Sequence, residues 1–197
     1  MSPVCDDLVR YPPSLADPSR RPKAELWRAG NLTATLGRKI MTYSAKAVAN
    51  MFLSLAKSDN ETLCQIKLQK LVYITHGFNL AIRNAPLIDE DIEAWEYGPV
   101  IISLYNEFRG FGVDPISKEA TEITINDNFD FIYEVPCVSD TYTKTLITTV
   151  WSKFKIYSGS NLSDLTHQIG TPWSDTPSQS IINSDTIRNH YLAMLGY

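Results

Sequence analysis

The sequence lacks the patterns that mark several large classes of protein. No run of about 18 apolar residues occurs along its 197 residues, so no membrane-spanning helix is predicted. The N-terminus also lacks the apolar core of about 7–15 residues that a secretory signal needs. The three cysteines are an odd number without paired spacing, which favours reduced, partly buried thiols in a cytoplasmic protein.

Positive charge is also scarce, and this scarcity excludes some kinds of partner. A formal net charge of −4 argues against a strongly basic protein that binds nucleic acids or membrane surfaces. The charge is unevenly placed, because residues 1–40 hold seven Lys/Arg and four Asp/Glu, whereas residues 41–197 carry a net charge of −7. Most of this negative charge is expected to be a solvated surface. Where it meets a partner, it favours a basic one.

Motifs for catalysis and for cofactor binding are missing as well. The chain contains no phosphate-binding glycine loop, no His-Glu-x-x-His and no Cys-x-x-Cys. The Gly110-Phe111-Gly112 segment is followed by Val-Asp-Pro, which predicts the end of a helix and a turn. We therefore predict that the protein is not an enzyme, and we expect no catalytic residue, metal site, cofactor or small-molecule ligand.

One enzymatic alternative stays open at this point. Glu93 and Glu96 belong to an acidic cluster, and His76 or His167 would complete the ligands of a metal-dependent hydrolase or nuclease. Two carboxylates within one strand do not converge on a pocket, however, and His76 is expected to be a core histidine. A solvated loop, or a surface for the Lys and Arg side chains of a partner, is the simpler interpretation.

The periodicity of apolar residues predicts about six helices and two or three short strands. Ser44 should cap the first helix, and the second helix, apolar on almost all sides, should lie at the centre. Ile92 to Tyr97 alternates like a strand, and Pro99 is expected to begin a third helix. The other predicted elements are a hairpin over 121–135 and helices over 139–157, 160–169 and 185–195.

The first 40 residues differ from the remainder of the chain. Residues 1–40 are rich in proline and show no sustained apolar period. Two interpretations stay open: a disordered extension, or a short element that docks on the domain or on a partner. Met41 precedes the first predicted helix, so residues 41–197 are expected to be the ordered domain.

Aromatic residues lie around the predicted strand and along the predicted helices. Tryptophan and tyrosine are enriched in the energetic centres of protein interfaces, because they bury a large area and keep a polar group. The candidate partner-binding residues are Tyr73, His76, Trp95, Glu96, Tyr97, Tyr105 and Trp173.

A family resemblance is carried by Lys67-Leu68-Gln69-Lys70-Leu71-Val72-Tyr73, His76-Gly77 and, most specifically, Ala94-Trp95-Glu96-Tyr97-Gly98-Pro99-Val100. Together with Leu162-Ser163-Asp164-Leu165-Thr166-His167 and Pro172-Trp173, these segments resemble the Panacea domain, the antitoxin domain of SocA-like and phage-associated GepA-like proteins. The resemblance covers about residues 44–195. It implies a mainly α, α+β fold, with a compact helical domain and a small antiparallel sheet of two or three strands.

The resemblance also implies a function. It indicates an antitoxin that neutralises a toxin encoded nearby by direct protein–protein binding, without any catalytic residue. In part of the family the implied role includes delivery of the toxin to the ClpXP protease, which would make ClpX a second partner. A DNA-binding autorepressor is a further alternative, but the acidic body of the chain opposes it because phosphate contacts need clustered Lys and Arg.

Overall fold

The part of the chain that the computed structural model describes, residues 41–126 and 128–197, contains six α-helices and two short β-hairpins. The helices are α1 (Ala45–Ser58), α2 (Gln65–Arg83), α3 (Ile102–Phe108), α4 (Thr141–Phe154), α5 (Gly159–His167) and α6 (Ser184–Met194). The antiparallel strand pairs are β1 (Glu93–Trp95) with β2 (Gly98–Val100), and β3 (Glu122–Ile125) with β4 (Phe131–Glu134). The predicted α+β, mainly α class is confirmed. The predictions for residues 1–40 lie outside the described residues.

Local side-chain chemistry sets the ends of the helices. Ser44 caps α1 as predicted, because its hydroxyl accepts a hydrogen bond of 3.2 Å from the Ala47 N–H. Asp140 caps α4 in the same way through the Thr143 N–H. At the end of α2, Asn84 adopts a left-handed conformation with φ of 53°, which stops the helix and suits asparagine better than most residues.

Helix α2 lies at the centre of the fold, as its apolar residues predict. Its side chains are buried almost without interruption from Gln65 to Ala81, and α1, α4, α5 and α6 all pack against it. Gly77 allows α6 to approach α2 closely, because the ring of Tyr191 from α6 lies directly over the Gly77 backbone. Of the cysteines in the described residues, Cys64 is buried but Cys137 is exposed, so the prediction of partial burial was wrong for Cys137.

The expectation for Pro99 was also wrong. Pro99 pairs with Ala94 inside the β1–β2 hairpin, and α3 begins three residues later at Ile102. A proline fits this position because β2 has only one neighbouring strand, so the missing N–H of Pro99 removes no hydrogen bond from a second partner.

None of the helices in the described part of the chain is both long enough and apolar enough to cross a membrane.

Candidate functional site

The β1–β2 hairpin turns through only two residues, Glu96 and Tyr97, and Gly98 makes this turn possible. Gly98 has φ of +101°, a backbone conformation that residues with a Cβ rarely adopt. An added Cβ would lie 2.7 Å from Cε of Lys70 and 2.9 Å from Oγ1 of Thr166. Gly98 is therefore needed both for the turn and for the close contact of the hairpin with α2 and α5.

Polar side chains of α2 fix the hairpin to the core. The Gln69 amide makes two hydrogen bonds with the backbone of Ile101: Nε2 donates to the carbonyl at 3.1 Å, and Oε1 accepts from the N–H at 3.0 Å. Lys70 is 1% exposed and donates from Nζ to the Pro99 carbonyl at 3.1 Å. Because buried polar groups need partners, these bonds hold the hairpin in one position on α2.

Burial changes the protonation of Lys70. Removal of the amine from water lowers its pKa from 10.5 to about 7. Between pH 7 and 10.5 the unfolded chain therefore binds more protons at this residue than the folded chain. Below pH 7 the cost of burying the Lys70 amine reduces the free energy of unfolding in full. This cost disappears as the pH rises from 7 to 10.5.

We expect the Lys70→Met variant to flatten the pH dependence of stability. In the parent chain, Lys70 should raise the free energy of unfolding by up to about 1.4 kcal/mol per pH unit between pH 7 and 10.5. Methionine has a similar length and carries no charge, so this slope should be lost. Urea denaturation at several pH values measures it, with exposed Lys57→Met as the matched control. An unchanged slope in Lys70→Met would contradict the prediction.

The tip of the β1–β2 hairpin rests on α5. Ser163 donates its hydroxyl hydrogen to the Tyr97 carbonyl at 2.8 Å, and the Nε2 of His167 lies 2.9 Å from the Glu96 carbonyl. The other edge of β1 is held by residues 179–182, since the Ala94 N–H donates to the Ser180 carbonyl at 2.9 Å. The hairpin is thus supported on several sides, and its turn is presented to solvent on a rigid base.

Aromatic side chains surround this hairpin. The rings of Trp95 and Tyr105 lie 4.9 Å apart, and the indole N–H of Trp173 donates to the Trp95 carbonyl at 2.8 Å. All three of these side chains are half-buried, whereas Tyr97 is 64% exposed and Glu96 is also exposed. We call Trp95, Glu96, Tyr97, Tyr105 and Trp173 the aromatic surface. Five of the seven residues predicted to bind a partner thus lie together.

The other two predicted residues, Tyr73 and His76, lie in the core. Tyr73 is 2% exposed, its ring packs 6.1 Å from that of Tyr191, and burial raises the pKa of its hydroxyl. His76 is 3% exposed, and its Nδ1 accepts a hydrogen bond from the Ile88 N–H at 3.4 Å. Burial lowers the pKa of His76 to about 4, which keeps the ring neutral. A partner therefore has no access to either side chain in this fold, and both serve packing.

The residues considered for a hydrolase do not converge. The Glu93 carboxylate accepts the indole N–H of Trp95 at 2.8 Å, His76 lies in the core, and His167 faces the backbone carbonyls of Glu96 and Ser163. Among residues 41–126 and 128–197, no three His, Cys, Asp or Glu side chains are placed to hold a metal ion. Glu93 and His167 make contacts within the hairpin region instead, and the absence of catalysis stays a prediction.

Sequence reasoning did not assign two of the elements that build the site. His167 was considered only as a metal ligand, although its ring lies 3.8 Å from that of Trp173 and supports the hairpin turn. Residues 179–182 had no predicted role, because their pairing with β1 is made only by backbone groups. The resemblance includes both Leu162–His167 and Pro172-Trp173, and this was the one indication in the sequence that His167 belongs with Trp173.

The chain is similar to a known group of antitoxins. Residues 68–174 match the family described as "Antitoxin SocA-like, Panacea domain". Antitoxin SocA of Caulobacter vibrioides is 32% identical to this chain over 129 residues, which cover 66% of this chain and 68% of that protein. No solved structure matches the chain. The range that matches the family contains every residue of the aromatic surface.

Proposed function

Because this chain belongs to the SocA-like antitoxin family with the Panacea domain, we propose that it is an antitoxin that neutralises a co-encoded protein toxin by binding it directly. The observation that carries the proposal is the similarity to antitoxin SocA across two thirds of the chain. The name of that relative states an antitoxin role. The direct contact is our inference from the site.

The aromatic surface has the properties of a protein-binding site. Tyr97 and Glu96 project from a turn that α2 and α5 hold in place, so little conformational entropy would be lost when a partner binds. Half-buried Trp95, Tyr105 and Trp173 lie beside this turn and combine a large apolar area with fixed positions. The net charge of −7 on residues 41–197 would favour a toxin with a basic surface.

Co-expression with the neighbouring open reading frame tests the proposal. The product of that reading frame should arrest growth when it is expressed alone, and co-expression of this chain should restore growth. The purified proteins should then form a complex. A neighbour that is harmless alone, or one that stays toxic in the presence of this chain, would refute the proposal.

We expect Tyr97→Ala to weaken toxin binding by about 10- to 100-fold. The change removes an exposed aromatic ring from the turn and leaves the buried contacts of the hairpin intact, so the melting temperature should stay close to that of the parent chain. Calorimetric titration of the complex measures the loss. Tyr197→Ala is the matched control, since Tyr197 is 80% exposed and lies outside the aromatic surface. Equal effects of the two variants would argue against this surface.

Two finer properties stay predictions. Delivery of the toxin to ClpXP follows only from the family resemblance, and degradation of the toxin by purified ClpXP in the presence and absence of this chain measures it. A cytoplasmic location is favoured by Cys64 and Cys137, neither of which forms a disulfide.

A further inference from the structure

The β3–β4 hairpin presents an apolar face to solvent. In its register Ile123 pairs with Tyr133, and Ile125 pairs with Phe131. Side chains that pair across two strands lie on the same face, so these four form one continuous patch. Their side chains are between 59% and 71% exposed, which means that no described part of the chain covers the patch. We call these four residues the hairpin patch.

The opposite face of the same hairpin carries three polar residues and one isoleucine. Glu122 pairs with Glu134, and Thr124 pairs with Ile132. No third strand in the described residues pairs with β3 or β4. A two-stranded hairpin in water is only marginally stable. An exposed apolar patch beside unpaired strand edges usually marks a surface that binds another protein or a ligand.

Buried contacts hold the base of this hairpin to α1. The Asn50 Nδ2 donates to the carbonyls of Ala120 and Pro136, each at 3.0 Å, and the Asn50 Oδ1 accepts from the Ala120 N–H at 2.7 Å. Lys46 adds a hydrogen bond of 2.7 Å from Nζ to the Thr121 carbonyl. Both ends of the hairpin are therefore fixed to the core, while its strands extend into solvent.

The charge of the hairpin region indicates which partner fits it. Residues 119–135 contain five Asp/Glu and no Lys or Arg. A second copy of this chain would bring the same negative charge to the contact, so electrostatic repulsion opposes self-association through this patch. A different protein whose surface has apolar side chains surrounded by Lys and Arg would match both the apolar patch and the negative charge of the hairpin.

We infer that the β3–β4 hairpin is a docking arm whose hairpin patch binds an apolar surface, bordered by Lys and Arg, on the toxin protein. This inference rests on the proposed function and adds a second contact region to the aromatic surface. The patch supplies the buried area, and the acidic residues speed the encounter with a basic toxin.

A pair of variants on opposite faces of the hairpin tests the inference. Ile125→Thr combined with Phe131→Thr removes half of the hairpin patch and keeps the strand preference, since threonine suits strands. Ile132→Thr makes the same kind of change on the opposite face. The full chain and each variant are titrated with the purified product of the neighbouring open reading frame, and their melting temperatures are compared.

We expect the double variant to bind about 100-fold more weakly, and Ile132→Thr to bind within about 3-fold of the parent chain. Parent-like binding by the double variant would overturn the docking arm and leave the proposed antitoxin function standing. If the parent chain itself fails to bind and to restore growth, the proposed function fails and the docking arm fails with it. If the double variant unfolds, Glu122→Lys with Glu134→Lys replaces it, and its association rate should fall at least 10-fold at low salt.

Hydrogen exchange in the unaltered full chain distinguishes the toxin from other occupants. The outward-facing amides of β3 and β4 should exchange rapidly in the chain alone and at least 10-fold more slowly in the complex. Slow exchange in the absence of the toxin would mean that the hairpin is already covered, by the same chain or by a second copy, which overturns the toxin as occupant. Loss of that protection on dilution would then identify a second copy, and protection independent of concentration would identify residues 1–40.

Discussion

Replacement of Gly77 by alanine is expected to lower the free energy of unfolding by about 3 kcal/mol. An added Cβ would lie 2.1 Å from the ring of Tyr191, far inside van der Waals contact. That ring has little room to move, because it is 4% exposed and packs 4.8 Å from the ring of Phe78. Helix α6 would therefore have to shift away from α2, the central helix of the fold. Urea denaturation should show the loss, and the melting temperature should fall by about 6–12 °C.

Gly110→Ala is the matched control, because an added Cβ there meets no atom within 4 Å. A second comparison identifies the clash itself. The destabilisation by Gly77→Ala should become smaller when Tyr191 is already leucine, since contacting residues show non-additive effects. A Gly77→Ala variant as stable as the parent chain, or a loss of stability that is the same in both backgrounds, would contradict the clash with Tyr191.

Replacement of Asn50 by leucine should lower the free energy of unfolding by about 3–4 kcal/mol. Leucine has nearly the same shape as asparagine but removes all three hydrogen bonds to Ala120 and Pro136. A buried backbone group that loses its partner costs about 1–3 kcal/mol. The loss is measured by chemical denaturation, with Ser54→Leu on the exposed side of α1 as the control.

The Asn50 variant also connects stability with the docking arm. Release of the hairpin base should speed hydrogen exchange throughout β3 and β4 in the chain alone, whereas α2 should keep its protection as long as the domain stays folded. If Asn50→Leu leaves both stability and hairpin exchange unchanged, the three hydrogen bonds do not fix the base of the arm.

Much of the fold and part of the site follow from the sequence. The cap at Ser44, the central position of α2 and the hairpin around Asn126 are local patterns that the structure confirms. In the structure Trp95, Glu96, Tyr97, Tyr105 and Trp173 lie together, because the first three share one hairpin and the other two bring large rings to it. That this surface binds a partner stays a prediction.

Other features of the site did not follow from the sequence alone. Tyr73 was expected to contact a partner, and His76 was both a candidate partner residue and an expected core histidine. Because α2 is buried on nearly all sides, both side chains lie in the core, as the second expectation for His76 had it. Gln69 and Lys70 were noted only as part of the family motif, and the structure shows that they hold the β1–β2 hairpin.

By itself the sequence determined where most of the helices form, the acidic character of the body and the family to which the chain belongs. These properties depend on neighbours within a few residues, or on motifs that are visible as letters. Only the tertiary structure decided which polar groups are buried, which aromatic rings reach solvent, and that an apolar hairpin face stays uncovered. The physical reason is that burial and hydrogen-bond partners come from segments far apart in the chain, such as Asn50 with Pro136 and Glu96 with His167.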